Sequence, residues 1–321
     1  MAAIGIARRL LALALVLGSG AAGAEDYPSR PMTVTIGLAA GSGADVLVRH
    51  FTARLADLAG QPVVVQNKVG AFNAIAAAAV ARAKPDGYSI LFSGSAIVAG
   101  GRHLVKDLPF DGLKDLIPVA VFAESPFVLC VGPNSPHRTV AGLVAALKGR
   151  PRTTFGYTSP VAFITTKAFI SETGLDATAV AYKSASDALP DLVNGTLDFV
   201  IFDSAFVLGQ IKSGRIHALA VTSAKRIPAL SDVPTMQEAG VKNYAFSPWW
   251  GVYVPAGTPQ PIVDKLADWM KRIAATPDTV AFVESIANVP VAGGAPEAAA
   301  LLKADAVQWD RLAAMANLQP Q

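Results

Sequence analysis

The run Ala39-Ala40-Gly41-Ser42-Gly43-Ala44-Asp45 lies between a β-branched stretch and an apolar-periodic one, where a strand passes into a helix. Unpaired backbone N–H groups at a helix start, together with the positive end of its dipole, make such a turn a seat for an anion. Its glycine spacing matches neither nucleotide fingerprint. No Gly-Lys-Ser/Thr follows, and Val46 takes the last position of G-x-G-x-x-G. Ser42 and Asp45 also fit a capping box, so a plain helix cap stands beside the anion seat as a reading.

Two further turns occupy equivalent junctions: Gly70-Ala71-Phe72-Asn73, and Ser93-Gly94-Ser95 after a third strand. Asn73 is equally an N-cap and the serine pair equally a solvated loop. In open α/β sheets the carboxyl ends of the strands form the rim where ligands bind, and three turns meet on it here. A second rim is expected from Tyr157-Thr158-Ser159, Tyr182-Lys183-Ser184 and Phe202-Asp203-Ser204. Asp203 ends an apolar strand and serves either a ligand or the following helix. Trp249 and Trp250 fall on a segment expected to cross between domains, where indoles pack or cover a ligand.

Catalytic templates fail at a required residue. No G-x-S-x-G elbow is present, and the imidazoles at His50, His103, His137 and His217 have no short ligand spacing. Asp45 and Asp203 are the obvious rim acids for a glycosidase pair, and either is equally structural. Cys130 sits in the apolar run Phe127–Val131 as a core thiol. No metal and no cofactor are expected.

The elements that hold these turns follow from length and pattern. The 321 residues, 52% of them apolar, supply about two domains and exclude disorder. Residues 1–24 have the layout of a secretory signal peptide: Arg8-Arg9, the apolar run Leu10–Leu17, and Ala22-Gly23-Ala24 before Glu25. Removing Arg8 and Arg9 leaves 25 basic against 24 acidic residues, a near-neutral, soluble chain with no electrostatic reason to bind nucleic acid.

From Met32 to Phe92, β-branched runs alternate with helical ones, and Leu47, Phe51, Leu55 and Leu58 mark one buried helix face. A second βαβ series runs from Pro136 to Val221, and Pro259, Pro277 and Pro296 open three final helices. The fold class is α/β: two open sheets joined by crossing segments near Val119–Val131 and Tyr244–Val254. The first lobe takes residues 25–123 and 248–321 and the second takes 124–247. Two short connections at a cleft make a hinge.

The motifs Tyr27–Pro31, Ala39–Asp45, Gly60–Asn67, Pro85–Tyr88, Leu192–Asp198, Asp232–Thr235 and Val254–Pro259, in this order and spacing, resemble the Bug-type substrate-binding proteins of tripartite tricarboxylate transporters over essentially the whole mature chain. The resemblance implies a two-lobed periplasmic binding protein fold, type II-like, that takes a small carboxylate and passes it to membrane permease subunits. A monomer in the periplasm is expected, with a ligand-sensing subunit for a signalling receptor, and behind it a periplasmic hydrolase, as alternatives. Carried over by position, the contacts are Ala39, Ala40, Gly41, Ser42, Gly43, Asp45 and Gly70 to Asn73 in the first lobe. Asp203, Tyr182 and Lys183 lie on the other. The chain departs from the family at Phe155–Ala162, at Thr165-Thr166, at Phe72 and at Ser184. These side chains either enlarge and grease the cleft, which suits an aromatic or branched acid, or turn away into packing.

Overall fold

The computed structural model describes residues 27–320, so the expected leader over 1–24 lies outside the described residues. The first β-branched run becomes β1 (Met32–Ile36), with β2 (Val63–Asn67) and β3 (Ser89–Gly94) parallel on either side. α1 (Gly43–Ala59) joins β1 to β2 and buries Leu47, Phe51 and Leu55, the face that the three-to-four spacing predicts. Gly60 closes it at φ 62°, a left-handed cap that glycine adopts without strain. α2 (Ala74–Ala81) and α3 (Ser95–Leu104) follow, and β4 (Leu116–Glu124) carries the chain to the lobe boundary.

The second unit comprises β5 (Phe127–Val131), α4 (Val140–Leu147), β6 (Thr154–Tyr157), α5 (Pro160–Thr173), β7 (Thr178–Ala181), α6 (Ala185–Val193), β8 (Phe199–Asp203), α7 (Ser204–Lys212) and β9 (His217–Val221). Cys130 is fully buried there, and burial raises its thiol pKa. The chain then returns through β10 (Trp249–Pro255), α8 (Gln260–Ala274), α9 (Pro277–Ser285), β11 (Val289–Gly293) and α10 (Ala295–Ala316). One sheet has the order β11-β4-β10-β3-β1-β2 and the other β7-β6-β8-β5-β9. Among the described residues no helix is long and apolar enough to cross a membrane.

Both sheets are mixed. β10 runs antiparallel to β3 and β4, and β5 runs antiparallel to β8 and β9. The reason is topological: each crossing strand enters its sheet at the rim where the parallel strands end, so it must run the other way. The parallel pattern read from the sequence therefore holds only for the βαβ portions. Two elements are also additional to the expected order: α3, which starts at Ser95, and β11, which pairs with β4.

The two crossings lie side by side. Ser125 N–H donates to the Pro248 carbonyl at 2.7 Å, and the Trp250 indole N–H donates to Ser125 Oγ at 2.9 Å. Both connections are thus fastened to each other at the point where the sheets part. α10 packs on α3 and β4 of one sheet and reaches α5 of the other, while Gln308 donates to the Ala245 carbonyl in the second crossing.

Gly100 on α3 is what lets the buried Trp309 of α10 come this close: a Cβ there would lie 2.3 Å from Trp309 Cδ2. Gly100→Ala gains about 0.5–1 kcal/mol in helix propensity but overpacks a rigid indole, at about 1–3 kcal/mol. Urea unfolding is expected to give a lower midpoint for the variant. A midpoint equal to or above the wild type contradicts this packing.

Candidate functional site

Between the two sheets lies a cleft of about 670 Å³. Four helices of two lobes point their N-termini into it, and in each the second residue is on the cleft wall: Ala44 of α1, Ala96 of α3, Val161 of α5 and Ala205 of α7. The first-turn N–H groups of a helix have no partner within the helix. Their side chains here are small or apolar, so the main chain itself is presented. The N-cap residues Gly94, Ser159 and Asp203 line the same wall, as do Gly43 and Asn73. No Lys, Arg or His is among the lining residues, and Asp203 is the single charged one. Ser125, Ser285 and Asn288 add polar side chains, and Leu38, Leu47, Phe127, Leu208, Pro248, Trp249, Trp250 and Ile286 complete it with largely apolar surface.

The first turn is held from beneath. Asp45 is 1% exposed, and its Oδ2 accepts from Gly41 N–H (2.9 Å) and Arg49 Nε (2.7 Å). Its Oδ1 accepts from Asn67 Nδ2 (2.8 Å), which also donates to the Leu38 carbonyl (2.9 Å). The Arg49 hydrogen bond, against the opposing effect of burial, brings the Asp45 carboxyl down to about 2. Asp45 does not line the cleft: both oxygens are hydrogen-bonded to the loop and its support, and the ion pair with Arg49 offsets its charge. Ser42 accepts from Asp45 N–H at 3.3 Å as the N-cap of α1. Cap and anion seat are the same turn, the side chain capping and the following amides facing the cleft.

The second turn is the unusual one. Ala71, Phe72 and Asn73 have φ of 43°, 52° and 77°, three successive non-glycine residues in left-handed backbone. Asn73 fits there because Gly37, at the end of β1, has no side chain; a Cβ on it would lie 2.5 Å from Asn73 Cβ. Asn73 faces the cleft, whereas Phe72, 39% exposed, faces a neighbouring cavity of about 420 Å³. Tyr157, Thr158, Ser159 and Tyr182 line that cavity too, with the Tyr182 hydroxyl donating to Asp191 Oδ2 at 2.6 Å. Ala39 to Ser42, Gly70, Ala71 and the exposed Lys183 line neither space.

Ser93 and Ser95, expected at the rim, line neither space. They are 2% and 1% exposed: Ser93 lies in β3, paired with Gly251 of β10, and Ser95 opens α3. Beneath them sits a residue that the sequence pattern does not reveal: Asp305 of α10, bonded to Ser95 and accepting from the Trp249 indole at 2.8 Å. Burial pushes its carboxyl up to about 6, with Glu124 adding to the rise. Asp203, the N-cap of α7, accepts from Phe206 N–H at 2.9 Å, and burial raises its pKa as well.

The model of the family described as "Tripartite tricarboxylate transporter family receptor" matches residues 47–318. The chain is 35% identical over 244 residues, 75% of each chain, to the protein BugT of Bordetella pertussis. Among solved structures, Rpa4515 of R. palustris with adipate is 31% identical with a TM-score of 0.80, covering 92% of this chain and all of that one. MatC of Rhodopseudomonas palustris with bound malate is 25% identical with a TM-score of 0.74, covering 89% and 99%.

Two tests follow from the geometry. Gly43 is the first residue of α1, behind an extended Ser42 (ψ 159°), with nothing within 4 Å of a Cβ. Proline suits that position, so Gly43→Pro deletes one N–H with little change to the fold. Carboxylate affinity measured by calorimetry is expected to fall about tenfold, the contribution of one hydrogen bond to a charged acceptor; unchanged affinity removes this amide from the seat. The second concerns Asp305, which stays protonated in the fold to about pH 6 but ionises lower in the unfolded chain. Its contribution to stability is full below the ordinary carboxylate pKa and is lost as pH rises to about 6. In thermal melts, Asp305→Asn, which keeps an acceptor for Trp249, is expected to flatten the fall in midpoint between about pH 4 and 6. An unaltered pH slope contradicts the assignment.

Proposed function

The chain belongs to the tripartite tricarboxylate transporter receptor family, and from that premise we propose that it is a periplasmic solute receptor which closes on a small carboxylate and delivers it to membrane permease subunits. The observation that carries this reading is the convergence of four helix N-termini on one cleft with no cationic side chain on its wall. Such a surface favours an anion that can accept several hydrogen bonds at once, as a carboxylate does. Each bond to a charged acceptor contributes about 1.5–3 kcal/mol. Four of them reach the roughly 8 kcal/mol of a micromolar complex after ordering costs.

In this reading residues 25–123 and 248–321 form one lobe and 124–247 the other. Ala44 and Ala96 present their amides from the first lobe, and Val161 and Ala205 from the second. A bound carboxylate therefore bridges the lobes, which is how its binding energy favours the closed state. The paired crossings at Ser125 and Pro248 are the hinge, and the Trp249–Trp250 strand is the floor against which the ligand rests. Asp203 is the one group that disfavours an anion, and its raised pKa lessens that cost as the cleft closes. The leader over 1–24 exports the chain, which works as a monomer without a cofactor. The ligand leaves unchanged; binding and release are the whole cycle, in keeping with a family of receptors.

Calorimetric titration against mono-, di- and aromatic carboxylates is expected to give a saturable one-to-one complex at micromolar concentrations for at least one acid, recovered intact afterwards by mass analysis. No binding across the panel, or conversion of the acid, contradicts the proposal.

A further inference from the structure

The 420 Å³ cavity beside the cleft has a composition of its own. Its wall is formed by Phe72 from the first lobe, by Tyr157, Phe163 and Tyr182 from the second, and by Leu318 in the C-terminal tail. The two spaces adjoin. Ser159 lines both, and two chain segments run from one into the other: Phe72 to Asn73, and Tyr157 through Ser159 to Val161.

Two features set its chemistry. No Asp, Glu, Lys, Arg or His lines it, so a charged group placed there would lose its hydration with no partner. Four aromatic side chains line it beside neutral polar ones: Tyr157 and Phe163 are ring neighbours at 4.9 Å and 57°, and Phe72 and Tyr182 share the wall with them. The Tyr182 hydroxyl is already used by Asp191, which leaves its ring as the available surface. Phe72 holds this place at φ 52°, ψ 39°, a conformation in which a bulky residue costs about 1–2 kcal/mol relative to glycine. A ring kept exposed at that cost is not explained by packing.

Resting on the carboxylate reading of the main cleft, we propose that this cavity is a distal subsite for an uncharged ring, so that the preferred ligand is an aryl-bearing monocarboxylate. The carboxylate sits on the helix N-termini. Its aryl end passes Ser159 and lies between Phe72 and the Tyr157–Phe163 pair. Because Phe72 belongs to one lobe and the facing rings to the other, the aryl end also contributes to closure.

The test compares 4-phenylbutyrate, butyrate and adipate by calorimetry on the wild type and on two variants. Phe72→Gly relieves the left-handed backbone, and Phe72→Asn keeps it with a residue that tolerates it, so both are expected to fold, as circular dichroism would verify. In the wild type 4-phenylbutyrate is expected to bind about tenfold or more tighter than butyrate, from burial of the ring. In both variants that ratio should fall to within about twofold. A wild-type ratio near one, or a ratio that survives both substitutions, overturns the subsite while adipate or butyrate binding keeps the carboxylate reading. Binding of none of the three overturns both.

Discussion

A carboxylate leaves water only if its lone pairs find donors elsewhere, and the seat we propose for it draws them chiefly from the main chain of four helix starts. Everything else in the structure serves to make that possible. An amide at the second position of a helix is unpaired by construction, but it becomes a binding group only if the helix start is held still and its side chain does not cover it. Ser42, Ser159 and Asp203 hold three of the starts by capping. Alanine or valine at the next exposed position leaves the amide open. A lysine or arginine on the wall would bind an anion too, yet it would hold it equally well in the open state. Donors divided between two lobes act together only when the lobes meet.

The same constraint explains what lies below the surface. The loop over 38–41 has no regular structure to fix it, so Asp45, Arg49 and Asn67 form a hydrogen-bonded support on its inner side. A bare buried carboxylate there would repel the ligand; pairing with Arg49 removes the difficulty. On the far side Asp305 does comparable work, holding Trp249 and the start of α3 from a helix that spans both lobes. α10 is thus both a strut for the site and a contact that lobe motion must accommodate.

Much of this was legible in the sequence because local rules decide it. The spacing of Leu47, Phe51 and Leu55, the glycine stop at Gly60 and the prolines opening the last helices each act within one or two turns of chain. The strand-to-helix turns at Ala39–Asp45 and Gly70–Asn73 were legible for the same reason. What was not legible is set by partners far apart. The direction of β10 depends on which end of the sheet the chain re-enters, a fact no short window contains. Asp305 meets Trp249 across 56 residues, and nothing in the Leu-Lys-Ala-Asp-Ala run around it marks it as different from a surface helix acid. Ser93 and Ser95 read as a loop because a Ser-Gly-Ser run carries a turn signal, whereas in the fold Ser93 lies in β3 beside β10 and Ser95 opens α3. For Asp45 the sequence left cap and contact open; in the fold its side chain accepts from Gly41, Arg49 and Asn67 and so supports the turn.

The amides proposed to hold the anion can be watched one by one. In amide-resolved NMR of the uniformly labelled protein, titration with a binding carboxylate is expected to move the Ala44, Ala96, Val161 and Ala205 N–H resonances downfield together, saturating at one equivalent. Shifts confined to lysine or arginine side chains, or to amides outside the cleft, would show that the anion is held by something other than helix N-termini.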